Sequence, residues 1–168
     1  MKWLLSLKHW QLFLLFLIYG FWFFESPLLD ASYYLGLIFF VLWSFSIGYY
    51  GQEQIVQSGL KRMNVPMLVC STVFILFTIV AAKFYAVLPA GIYNVMDLTL
   101  PVLFFIAIAA GVYILFFAAK TLSKIELQRE VKFNDYFTNF LLMCVFIWGI
   151  WVLQPKANKL IASPGFVV

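Results

Sequence analysis

The stretch "KTLSKIELQREVKFNDY", Lys120 to Tyr136, interrupts a chain that is otherwise almost wholly apolar on either side of it. It carries seven of the eighteen charged residues, eleven basic and seven acidic, among 168 positions. A segment of this kind between two oily runs reads as a connection held in water between membrane segments. The rest of the chain supports that reading. It is 65% hydrophobic and 11% charged, whereas a soluble domain is about half apolar and roughly a quarter charged. So few polar groups cannot cover a water-facing surface. Apolar runs of about twenty residues recur, the length that spans a hydrocarbon core of about 30 Å.

Five runs can be drawn outward from the charged segment. Behind it lies Phe137 to Leu153, which Gln154-Pro155 should end. Ahead of it lies a helix capped by Asp97 or Thr99 and continuing to about Ala119. "LPAG", Leu88 to Gly91, is a turn signal, and before it a helix is expected from Val65 to about Val87. Asn64 ahead of Val65 and Pro66 is a plausible cap. "ESP" opens a helix over Pro27 to Tyr50, since proline at the first helical position loses no needed hydrogen bond. The first run covers Trp10 to Phe24, preceded by Lys2, Lys8 and His9 interleaved with Trp3 and Trp10, a mixture suited to the membrane interface. The early basic residues resemble a signal peptide, but bulky Phe21 to Phe24 leave no small-residue cleavage site, so this segment is expected to stay as a membrane helix.

These runs predict an all-α integral membrane bundle of about five transmembrane helices in one domain, 1–168. Long continuous runs select helices over alternating barrel strands. The net charge of +4 is then read as membrane orientation, not as nucleic-acid binding. The N-terminal arm, the second connection and the Lys120–Tyr136 segment hold eight Lys/Arg against three on the other side, which puts the N-terminus in the cytoplasm and, with five spans, the C-terminus outside. Lys156 and Lys159 in the tail are discordant. A re-entrant hairpin broken near Gly149 would instead bring both termini to the cytoplasm.

Within the charged segment, Glu126 and Arg129 share a helix face. A helical continuation of the fourth run is preferred to a strand. Gln128, Arg129 and Glu130 are candidates for a partner-recognition patch, and Asp135 or Asn134 for the cap of the last helix.

The sequence offers little to catalysis. His9 is the sole histidine and lies in the interfacial arm. No zinc-protease, phosphate-loop or nucleophile-elbow pattern is present. No catalytic residue, metal ligand or cofactor is assigned. Cys70 and Cys144 lie in apolar runs and read as small hydrophobes. Ser44, Ser46, Ser71, Thr72, Thr78 and Asn139 are expected to hydrogen-bond between helices. Ser44 with Gly48, and Ala107 with Gly111, fit the small-xxx-small pattern of close helix packing.

"ELQREVKFNDYFTNFLLMCVFIWGIWVLQPKANKL", Glu126 to Leu160, and "LKHWQLFLLF", Leu7 to Phe16, resemble a group of small, uncharacterised bacterial multi-span membrane proteins. Leu127 to Val131 match that group's LQ-basic-EV pattern, and Gln154, Pro155, Lys156, Asn158 and Lys159 its QP-basic-x-N-K ending. Trp148 stands where the group often has proline. The resemblance implies a bacterial inner-membrane protein and no mechanism. The expected function is a non-enzymatic subunit, scaffold or regulator touching membrane lipids and a further membrane protein. The alternative is a small transporter or a lipid- or small-molecule-binding protein. A bundle filled by Phe and Leu favours the first, and a polar-lined cavity at mid-depth the second.

Overall fold

The structure, a computed structural model, describes residues 2–21, 29–85 and 93–162, with side chains described for 3–15, 34–82, 101–145 and 148–159. Every regular element among them is helical. A short α1 (Lys2–Ser6) leads into α2 (His9–Phe21). Next come α3 (Leu29–Gln57), α4 (Val65–Tyr85) and α5 (Tyr93–Leu127), and then α6 (Phe133–Cys144) and α7 (Phe146–Ala162). Three stretches, Tyr34–Gln57, Val65–Ala82 and Pro101–Leu127, are long and apolar enough to cross a membrane. Their outward faces are apolar too: Val73, Phe77 and Val80 on α4 and Phe104, Phe105 and Ile108 on α5 are exposed. A surface of that kind is stable only against lipid or protein.

Local signals explain several boundaries. Asn64 Oδ1 accepts the Met67 N–H at 3.2 Å and so caps α4 as expected. α5 continues eight residues past the expected Ala119, so Lys120 to Leu127 are helical. It ends where Gln128 takes a φ of +50°. Asp97 and Thr99 lie inside α5, which begins at Tyr93, and do not cap it. At the start of α6 the cap position is Lys132, and Asp135, at the third helical position, accepts the Lys132 N–H through Oδ2 at 2.8 Å, so the expected Asp135 serves this terminus from inside the helix, where Asn134 also lies. The expected tight turn after Phe24, the "LPAG" turn and the tail after Ala162 fall outside the described residues.

The last apolar run departs most from expectation. Phe137 to Leu153 is not one helix but two, broken at Val145 (φ −91°, ψ 61°). α6 has twelve residues, about 18 Å of helix, well short of a hydrocarbon core of about 30 Å. Gly149 sits against the Leu142 carbonyl so closely that a Cβ there would collide with it, and Asn139 Oδ1 accepts from Lys156 Nζ at 3.2 Å. These pairings make α6 and α7 an antiparallel hairpin. Gln154 and Pro155 do not end α7, which runs on to Ala162. The helix tolerates Pro155 at the loss of one backbone hydrogen bond.

The core lies where α1 and the hairpin meet α3 and α5. Leu4, Leu5, Leu12, Trp43, Ile47, Ala118, Ala119, Leu122, Met143, Ile150, Leu153 and Ala157 form one buried cluster. A second cluster, Val65, Leu68, Ile75, Ile114 and Phe117, joins α4 to α5. The α3–α5 approach depends on Gly51, where a Cβ would collide with the Thr121 side chain.

Candidate functional site

A cavity of about 420 Å³ lies between α3, α4 and α5. Leu37, Phe40, Ile75, Ile79, Phe104, Ile114 and Leu115 give it an apolar wall, while Ser44, Ala107 and Gly111 hold it open because their side chains are small. Three of the four small residues singled out in the sequence therefore line a space. Only Gly48 is tightly packed: a Cβ there would lie 2.9 Å from Phe117 and 3.0 Å from Leu68. At Gly111 a Cβ would meet only Ile75, at an ordinary 3.8 Å.

Ser44 is fully buried, near the middle of α3, and its hydroxyl has no hydrogen-bond partner among the described residues. Its neighbours behave differently. Ser46 donates to Leu42 O at 2.7 Å, Thr72 to Leu68 O at 2.9 Å and Thr78 to Phe74 O at 2.9 Å, each within its own helix. These three do not bond between helices as expected. An unsatisfied buried hydroxyl costs about 1–3 kcal/mol, and Ser44 is the residue beside the apolar cavity that bears this cost.

The charged end is built differently. Lys124 is buried, with 3% of its side chain exposed, and its Nζ bonds Glu130 at 2.8 Å and Lys61 O at 2.9 Å. Glu130 also accepts the Lys61 N–H at 3.2 Å, so one ion pair fastens the α3–α4 connection to the end of α5. The Lys124 ammonium beside it holds the Glu130 carboxyl below the usual range. Arg129 Nη2 lies 3.1 Å from Asp135 Oδ1. The Asp135 carboxyl is also held low, first by the Lys132 N–H and then by Arg129. Gln128 donates to Ile125 O at 2.7 Å. The three candidate patch residues thus occupy one turn, all exposed, with both charges engaged inside the chain.

No protein-family model, curated protein or solved structure matches this chain.

Sequence reasoning missed the polar interior just below the charged end. Gln52 Nε2 donates to Thr121 Oγ1 at 3.0 Å, and Gln52 Oε1 accepts the Met63 N–H at 2.9 Å. Asn139 Nδ2 donates to Ser123 at 2.8 Å, the cross-helix bond expected of it. Gln154 is a hub. Its Oε1 accepts Trp43 Nε1–H at 2.7 Å, and its Nε2 faces the carbonyls of Leu7 at 2.8 Å, Leu4 at 3.2 Å and Leu5 at 3.3 Å. Nothing local in the sequence marks Gln154 as this hub, since the Leu4 carbonyl it faces lies 150 positions away. His9 packs its ring 4.7 Å from Trp151. Among the described residues no three metal-ligating side chains come together.

Proposed function

We propose that this protein is a non-catalytic membrane protein that binds a lipophilic molecule between α3, α4 and α5. The observation that carries the reading is an apolar cavity of about 420 Å³ lined in part by Ser44, whose buried hydroxyl has no hydrogen-bond partner among the described residues. That volume lies within the range of small-molecule sites, which combine apolar walls with a few polar groups that fix orientation. Exposed Phe104 and Ile108 at the cavity edge open it toward the acyl region. A neutral molecule arriving through lipid and carrying one carbonyl or hydroxyl would satisfy Ser44.

The proposed topology has crossings by α3, α4 and α5, a fourth by the first apolar run, Trp10 to Phe24, which extends beyond the thirteen residues of α2, and a re-entrant α6–α7 hairpin, with both termini on the cytoplasmic side. Lys156 lies 2.9 Å from Glu126, which supports a return of α7 to the charged end of α5. Ten of the eleven Lys/Arg then face one side and only Lys83 the other, a stronger positive-inside bias than five spans allow.

Mild extraction of the whole chain from native membranes, followed by mass spectrometry of what co-purifies, tests the function. The expected result is a small lipophilic molecule at about one per chain. A stoichiometric protein partner and no such molecule would favour a subunit or scaffold instead.

A further inference from the structure

A second concavity, of about 750 Å³, lies on a different face of α5, at the charged end. Its upper rim carries Lys61, Arg62, Lys120 and Lys124 with the single carboxylate of Glu130. In the sequence the acids of this region offset its bases, but folding separates them. Glu126 pairs with Lys156, Glu130 with Lys124 and Asp135 with Arg129. Among the described residues no carboxylate lies within ion-pair distance of Lys61, Arg62 or Lys120. Lys120 Nζ instead lies 6.0 Å above the Tyr136 ring. Four cations against one carboxylate, which feels Lys120 as well as Lys124, therefore leave the rim strongly positive beside the N-terminus of α4, the positive end of that helix's dipole.

Below the rim the wall turns apolar. Ala109, Val112, Phe116 and Lys120 follow one stripe of α5. Eleven residues of helix rise about 16 Å, close to one leaflet of a hydrocarbon core about 30 Å thick. We infer that this concavity is a binding site for one anionic phospholipid. Its phosphate rests among Lys61, Arg62 and Lys120, and an acyl chain lies along the Ala109–Phe116 stripe. The first N–H groups of α4 are taken by Met63 O, Asn64 Oδ1 and Asn64 O, so side chains and not the backbone hold the phosphate. The headgroup supplies the negative charge that the positive rim needs, and the chain covers an apolar stripe that water would leave exposed. Basic pockets between membrane helices bind anionic headgroups by this logic. The site is separate from the Ser44 cavity, and neither depends on the other.

The test uses the purified whole chain, stripped of lipid in detergent and titrated with phosphatidylglycerol or with phosphatidylcholine of identical chains. Native mass spectrometry reads the bound fraction. Phosphatidylglycerol is expected to bind as a single adduct at least tenfold more tightly than phosphatidylcholine. Each of Lys61→Gln, Arg62→Gln and Lys120→Gln should weaken it about fivefold. Lys132→Gln, which removes the same charge outside the concavity, should leave affinity unchanged, and Lys120→Arg should retain it. Thermal unfolding of each variant separates lost binding from lost fold. Equal binding of the two lipids would overturn the inference. So would an equal loss in Lys132→Gln, or full displacement of the lipid by millimolar glycerophosphoglycerol, which lacks the chain.

Discussion

Lys156 in α7 forms an ion pair with Glu126 at the end of α5, Nζ to Oε2 at 2.9 Å. Two residues 30 positions apart, with α6 and the first half of α7 between them, thus meet at one end of the bundle. That relationship carries the hairpin reading and sets the first prediction. Reporter fusions after Val168 should give a cytoplasmic fluorescent signal and no periplasmic phosphatase activity, matching fusions at the N-terminus. A periplasmic signal would restore five spans.

The hairpin depends on glycine at position 149. Any side chain there meets the Leu142 carbonyl, and forcing bulk into a packed contact costs about 1–3 kcal/mol. Gly149→Val should lower the thermal midpoint in detergent accordingly. Trp148→Phe, next to it but exposed, should change it little. Equal behaviour of the two variants would mean that the α6–α7 contact is not tight.

Gln154→Leu should be among the most damaging single changes. It removes the acceptor of the Trp43 Nε1–H and the amide facing the Leu4, Leu5 and Leu7 carbonyls, of which the Asn158 amide reaches only Leu5 O and Leu7 O. Each buried group left unsatisfied costs about 1–3 kcal/mol. The expected signature is early proteolysis of the N-terminal arm together with a lower thermal midpoint. An arm that stays protected would show that apolar packing of Leu4 and Leu5 suffices to hold it.

Acid should loosen the charged end. The folded chain holds the Glu130 and Asp135 carboxyls below their ordinary range. Their contribution is therefore fully present above the unfolded carboxylate range, near pH 4. It is lost as pH falls through the lowered folded values. Amide exchange at Lys61 and Lys132, the N–H groups these carboxylates accept, should be protected at neutral pH and should accelerate below about pH 4 relative to its intrinsic rate. Glu130→Gln combined with Asp135→Asn should remove that acid limb. An acid limb retained in the double variant would place the titrating groups elsewhere.

The helices were legible because in lipid the backbone must satisfy itself within each segment, so a long apolar run has few alternatives. The capping contacts of Asn64 and Asp135 were legible because they are local. A break in the last run was legible only as the alternative near Gly149 that Lys156 and Lys159 suggested, and its place at Val145 was not, because no proline or charge marks it. It arises from the approach of Gly149 to Leu142 and from the return of Lys156 to Glu126, which are pairwise and tertiary. Asp97 and Thr99 misled because capping residues also occur inside helices. The Ser44 cavity was invisible for a further reason. The small residues that let helices touch also leave a space when the facing side chains diverge, and only geometry separates these outcomes at Gly48 and Gly111.

The central claim is that the cavity beside Ser44 holds a lipophilic molecule, and filling that cavity tests it most directly. Gly111→Leu and Ala107→Leu place bulk in a space that has room for it, since a Cβ at Gly111 meets only Ile75 at 3.8 Å. The measurement is native mass spectrometry of each variant after mild extraction, beside its thermal midpoint. The account predicts that the co-purifying molecule falls at least tenfold in both variants, with midpoints equal to or above that of the parent chain, and that Ser44→Ala weakens retention without filling the space. A molecule retained at full occupancy in both filled variants would contradict it.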